Sequence, residues 1–314
     1  MSEPVITLAF AVSVLAMTFR MAVPLIFGTV GEAFAERSGV LNLGIEGMML
    51  VGASVGYLVS YHVGDNWAGV AAAALAGAAM GLLMAFLTVS LGAQQHVAGI
   101  GTTIIGSGLS FYIFRLGVPL VSGIPPTVTP FPALNIPLLT DIPILGPVFF
   151  HHQALVYVAL AVVVISAFIF YRTRFGLTMR AVGENPRAAD TAGIDVFRVR
   201  YICLILAGAL TAVGGSWLSI AQSRFFLPNM TYGRGWICIA LVVFGYWSPL
   251  RILGGALLFG GIDALQLSLQ AVGVEIPYQL FLMLPYVVTI LALITVSRRA
   301  KAPAALLKPY RREE

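Results

Sequence analysis

The sequence predicts an all-α fold, a polytopic bundle of about eight to ten transmembrane helices with one short helix in a cytoplasmic loop. Composition is the first observation: 59% of the 314 residues are hydrophobic and only 10% charged, against roughly 25% charged in an ordinary soluble domain. The second is the recurrence, as far as residue 296, of apolar runs able to cross a hydrocarbon core of about 30 Å as helices. The third is glycine in small-xxx-small steps: Gly52 with Gly56, Gly77 with Gly81, and Gly208 with Ala212. Such steps let backbones approach where lipid supplies no hydrophobic drive, and a solute pathway can still run between the helices they join. No stretch is left for a soluble domain, so the chain reads as one membrane domain over 1–314.

Taken in order, the spans fall at 5–30, 40–60, 68–91, 97–114, 153–171, 201–222, 236–247, 252–270 and 278–296. Arg20 interrupts the first and has no account from sequence, and the seventh is short if it stops at Trp247. Met1-Ser2-Glu3-Pro4 lacks a basic region and no cleavage site follows, so the first segment is expected to stay rather than leave as a signal peptide. Lys and Arg in short loops orient the bundle. The connection 172–200 carries Arg172, Arg174, Arg180, Arg187, Arg198 and Arg200, and the tail 297–314 carries Arg298, Arg299, Lys301, Lys308, Arg311 and Arg312. Both are expected in the cytoplasm, as the four spans between them allow. The stretch 116–152, with eight prolines and no Lys or Arg, belongs outside, and its apolar residues are expected to pack, partly re-entrant, against the outer mouth. Arg115, Arg224 and Arg234 are the minority against this scheme. The net charge of +5 follows the positive-inside bias and does not point to nucleic acid. Cys203 and Cys238 lie in separate apolar segments as small hydrophobes, with no disulfide or metal expected.

The stretch RAVGENPRAADTAGI at 180–194 spells a short capped helix. Asn185 is a favoured N-cap, Pro186 fits the first helical position, and Gly193 suits a left-handed C-terminal cap. Its small side chains suit docking into a groove, with Glu184, Arg187 and Asp190 as polar contacts, though an ordinary surface helix has the same composition.

Ionisable groups within spans are default places to look for function, because a charge near the bilayer centre costs about 2.5–3.5 kcal/mol on insertion scales. Asp263 lies twelve residues beyond Arg251, about 18 Å, and Gln266 and Gln270 continue a polar stripe that must face protein or water. Asn42 and Glu46 are one turn apart among Gly39, Gly44 and Gly47, as in a broken segment lining a cavity. Each set is open to a pathway role or to a purely structural, hydrogen-bonded one. Gln94, Gln95 and His96 read as a cytoplasmic turn, from which Thr102, Thr103 and Ser107 continue as hydroxyls in the fourth span. No GxSxG, HExxH or paired intramembrane histidines support an enzyme.

At these motifs the sequence resembles ABC importer permeases of the branched-chain amino acid and ribose type. The 180–194 segment resembles their coupling loop, GEAFAERSGVLNLGIEGMMLVGA at 31–53 looks like the signature of the nucleoside or simple-sugar branch, and 232–266 is similar to its C-terminal half. The resemblance runs from about residue 20 to 296, with Tyr246 and Trp247 standing where relatives more often have smaller residues. It implies an ATPase-contact role for Gly183, Glu184, Asn185, Pro186, Arg187, Ala188, Ala189 and Gly193. It also implies a multi-pass protein of the bacterial inner membrane, carrying a purine nucleoside or else a simple sugar such as ribose. A P-loop needs a lysine to reach the phosphates, and the only lysines here are Lys301 and Lys308, so no cofactor is expected on this chain and ATP with Mg is expected on a partner ATPase. The other implied partners are a second, related permease, an extracytoplasmic substrate-binding lipoprotein and membrane lipid. The alternative is a self-sufficient ion-coupled secondary transporter using Asp263 and Glu46.

Overall fold

The computed structural model describes residues 8–118, 125–135, 140, 142–272 and 301–311, with Met283, Val287, Ile290 and Ile294 as single helical positions. The expected span at 278–296 and part of 116–152 otherwise lie outside the described residues. In chain order the helices are α1 Leu8–Arg37, α2 Ile45–Val63, α3 Asn66–Ala85, α4 Gln95–Gly117, α5 Ala154–Arg172, α6 Arg174–Glu184, α7 Pro186–Thr191, α8 Val196–Ser216, α9 Arg234–Phe244 and α10 Pro249–Ala271. Wider π-helical turns extend α3 to Ser90 and α8 to Gln222. Among the described residues six helices are long and apolar enough to cross a membrane: α1, α3, α4, α5, α8 and α10.

The remaining apolar helices, α2 and α9, are interrupted crossings. After Arg37, residues 38–44 turn back into the bundle instead of leaving it, and the Asn42 backbone N–H reaches the Glu32 carboxylate of α1 at 2.9 Å. Residues 223–233 lead into α9 from the other end, burying Phe226, Met230 and Thr231, and α9 itself is 11 residues, about 16 Å, long. Irregular backbone at that depth survives only where protein satisfies it. The structure also extends α1 past the expected residue 30 to Arg37 and finds a helix, α6, inside the stretch read as loop.

Small residues set the centre of the bundle. A Cβ on Gly77 would meet the Gly208 carbonyl, one on Gly208 would meet the Gly77 carbonyl, and one on Gly52 would meet the Ala212 backbone. The three small-xxx-small steps are therefore one seam, in which α2, α3 and α8 touch backbone to backbone. Larger core side chains, including Phe27, Tyr57, Trp217 and Phe226, fill the volume on either side. Outward, α4 presents Ile100, Ile104, Ile105, Leu109, Tyr112 and Leu116, an exposed apolar face such as lipid or another membrane subunit covers.

The two ends differ. Arg37, α6, α7 and the described tail lie together at a basic end, where the tail's Ala305 N–H donates to the Gly183 carbonyl at 2.9 Å. At the proline-rich end a short antiparallel pair, β1 Ala133–Asn135 with β2 His151–Gln153, packs beside α1, with the Phe19 and Phe149 rings 5.2 Å apart. Arg20 gains a place here. It is exposed and lines a cavity of about 410 Å³ together with Gln153, Gln222 and Trp217.

Candidate functional site

Two interrupted crossings meet at one carboxylate. Glu46, in the first turn of α2, accepts from the Thr231 hydroxyl at 2.5 Å, from the Gly233 N–H at 2.9 Å and from the Gly235 N–H at 2.7 Å. The first turn of any helix leaves N–H groups without intrahelical partners, and its dipole favours negative charge. Glu46 supplies both needs for α9 across 189 residues of sequence. Glycine is required at 235, because a Cβ there would lie 2.7 Å from the Glu46 backbone N and Cα.

Around this junction the structure gathers several of the sequence-predicted residues. Arg234, between the two glycines that bind Glu46, approaches Asp263 of α10 at 3.7 Å, with both side chains about one-fifth exposed at 18% and 22%. Ser107 of α4 lies 3.4 Å from the Asn229 side chain, on the segment leading into α9. Ser107, Glu46 and Asp263 thus come from three helices to flank residues 229–235, and Gln266, 7% exposed, lies one turn beyond Asp263. The other two candidates are sealed in. The Thr102 hydroxyl donates to the Ala98 carbonyl of its own helix at 2.8 Å and is fully buried. Asn42 is also fully buried, its side-chain oxygen accepting the Gly44 N–H at 3.0 Å. Both shape the re-entrant turn instead of facing open space.

A second polar group escaped sequence reading. Glu32 and Glu36, one turn apart on α1, are both buried, and Glu36 accepts from the Trp247 indole N–H at 2.6 Å. Arg37 donates to the Tyr246 carbonyl at 3.2 Å and lies 5.9 Å from the Trp247 ring centre. The bulky Tyr246-Trp247 pair therefore ties α1 to the turn between α9 and α10. Two glutamates just beyond the first predicted span were the available signal, but the Trp247 partner of Glu36 lies 211 residues away.

At the basic end α7 follows its local code. The Asn185 side chain accepts the Ala188 N–H at 3.1 Å, Pro186 opens the helix, and Gly193 has φ +83°. Asn185, Arg187 and Ala188 are exposed, whereas Ala189 and Gly183 turn inward, and a Cβ on Gly183 would meet the Arg37 carbonyl. Glu184 and Pro186 border a cleft shared with the tail.

Comparison with known proteins places this arrangement. The family model described as branched-chain amino acid transport system / permease component matches residues 14–293. The chain is 39% identical to TsgC13 of Haloferax volcanii, which carries a provisional name as a glucose ABC transporter permease protein, over 98% of this chain and 99% of that one. It is 39% identical to the guanosine ABC transporter permease protein NupQ of Bacillus subtilis over 93% of this chain and 94% of that one. It is 35% identical to the nucleoside ABC transporter permease protein NupC of Lactococcus lactis over 90% and 91% respectively. The last two organisms each supply a more distant permease match as well, NupP at 26% and NupB at 35% over a shorter 103 residues. No solved structure matches the chain.

Proposed function

The chain belongs to the branched-chain amino acid transport system / permease component family, and from that premise we propose that it is the membrane-spanning subunit of an ATP-driven importer for a nucleoside, a purine nucleoside foremost. The observation that carries the reading is α7, a doubly capped helix at the basic end of a bundle whose only lysines, Lys301 and Lys308, do not form a P-loop. Such a bundle needs a surface on which a partner ATPase, holding ATP and Mg, can act. In this reading Glu184, Asn185, Pro186, Arg187 and Ala188 meet the ATPase, Gly193 ends the helix, and the inward Gly183 and Ala189 pass its displacement to α1.

The solute is assigned from the names of NupQ and NupC, with TsgC13 favouring a simple sugar as the second reading. The pairs NupQ with NupP and NupC with NupB support a heterodimer of two related permeases. The multi-pass chain sits in the bacterial inner membrane and receives its solute from an extracytoplasmic binding lipoprotein. Alternating access then reorients the helices around the α9 junction. Ser107, Glu46, Asp263 and Gln266 line or frame the passage there, while Thr102 and Asn42 hold the frame.

The test is uptake of labelled guanosine, ribose and glucose by cells expressing this chain and the second permease, with and without the ATPase. ATPase-dependent uptake is expected, with guanosine preferred. Uptake without the ATPase, abolished by collapsing the ion gradient, would replace this reading with an ion-coupled transporter.

A further inference from the structure

The C-terminal tail is expected from sequence only to be basic and cytoplasmic, yet its described residues 301–311 are built onto the α7 segment. The Ala305 N–H donates to the Gly183 carbonyl at 2.9 Å, and the Ala304 N–H reaches the Glu184 carboxylate at 3.4 Å. The Tyr310 hydroxyl donates to the Asp190 carboxylate at 2.9 Å, and its ring meets Phe197 of α8 edge-on at 6.0 Å. Pro303 and Ala305 are buried, so the strap is held by apolar contact as well as by polar ends. It spans the end of α6, all of α7 and the start of α8.

The strap also creates a surface that α7 alone does not have. A cleft of about 560 Å³ opens between residues 184–187 and 304–311. Its charged lining is Glu184, Arg187, Lys308 and Arg311, three cations against one carboxylate that already accepts from the tail backbone. Asp190, the other acidic group of the segment, meets Tyr310.

We infer that the tail is the second wall of the ATPase-docking site, and that the cleft it forms with α7 receives an acidic segment of that ATPase. The inference rests on the importer reading. It assigns residues 301–311 to the interface, where charge complementarity sets partner choice and encounter rate and makes the contact salt-sensitive.

The experiment is co-purification of the ATPase with the detergent-solubilised permease pair, alongside ATP-dependent guanosine uptake, for three forms of this chain. These are the full chain, a chain ending at Ala300, and the double variant Lys308→Glu with Arg311→Glu, which keeps the tail's contacts to Gly183, Glu184 and Asp190. The truncation is expected to lose ATPase capture and uptake. Double charge reversal is expected to weaken capture about tenfold or more, and added salt to weaken capture by the full chain. A double variant that captures the ATPase as tightly as the full chain overturns the inference and leaves the importer reading standing. A full chain that takes up solute without capturing any ATPase overturns both.

Discussion

Replacing Glu46 tests whether one carboxylate holds the start of α9. In Glu46→Ala the Gly233 and Gly235 N–H groups and the Thr231 hydroxyl lose their acceptor inside the bundle, where water does not readily replace it. Each orphaned backbone donor costs about 1–3 kcal/mol, so the two together cost about 4 kcal/mol. In Glu46→Gln the side-chain oxygen can keep the Thr231 and Gly233 contacts, but an NH₂ then faces the Gly235 N–H. One lost bond of about 2 kcal/mol adds to about 1 kcal/mol of lost charge at a helix N-terminus, giving about 3 kcal/mol. Thr231→Val removes one hydroxyl donor and costs about 1 kcal/mol. The assay is the fraction of detergent-solubilised protein that stays monodisperse by size exclusion after stepwise heating. The expected order of midpoints is wild type, Thr231→Val, Glu46→Gln, Glu46→Ala. A Glu46→Ala protein that melts with wild type refutes the capping argument. A Glu46→Gln protein that melts normally but transports nothing would shift the carboxylate's role to the solute or an ion.

Three further outcomes follow from the same geometry. Asn185→Ala with Gly193→Pro removes a cap worth about 1 kcal/mol and demands a φ near −65° where the backbone holds +83°; membrane insertion should persist while ATP-driven uptake fails, and normal uptake would sink the coupling role. Gly208→Leu drives a side chain into the Gly77 carbonyl and should abolish monodisperse protein, whereas Leu75→Ala on the outer face, at a residue 73% exposed, should not; size exclusion after extraction compares them. His152, outside the spans, has its pKa held below the usual 6.5 chiefly by burial, so below about pH 6.5 the unfolded segment takes up a proton that the folded one resists. Stability of residues 146–153 should therefore fall as pH drops through that value, read as faster hydrogen exchange at pH 5 than expected from chemistry alone and damped in His152→Gln.

What the sequence disclosed depended on how local the cause was. The caps of α7 are written within nine residues, so Asn185, Pro186 and Gly193 were readable before any fold was known. The small-residue steps were visible too, although not that all three formed one seam, since that depends on which helices neighbour each other. Glu46 and Asp263 stood out as charges in apolar runs, but nothing in residues 229–235 disclosed that they join the two. Their role comes from the Gly233 and Gly235 backbone, which carries no side-chain signature. Arg174–Glu184 was read as loop because counting Lys and Arg for orientation passes over the amphipathic order of a helix lying across the end of the bundle. Thr102 was readable as a hydroxyl in a span, yet nothing in its spacing disclosed that its own helix consumes it.

The backbone seam through Gly52, Gly77 and Gly208 has a mechanical consequence. Where helices touch through side chains, rotamer changes can absorb an ångström of sliding; where carbonyl meets glycine there is no such slack. Helices α2, α3 and α8 must therefore travel as one stiff block, and α8 leads directly from the α7 segment. On the coupling role proposed for α7, a push delivered at the basic end has little room to dissipate along that block. It emerges where the block's edge meets α9, whose first turn is tied to α2 by the Glu46 carboxylate and by the close approach of Gly235 to the Glu46 backbone. On the proposed coupling, the stroke leaves the block at a junction built from one carboxylate and one glycine.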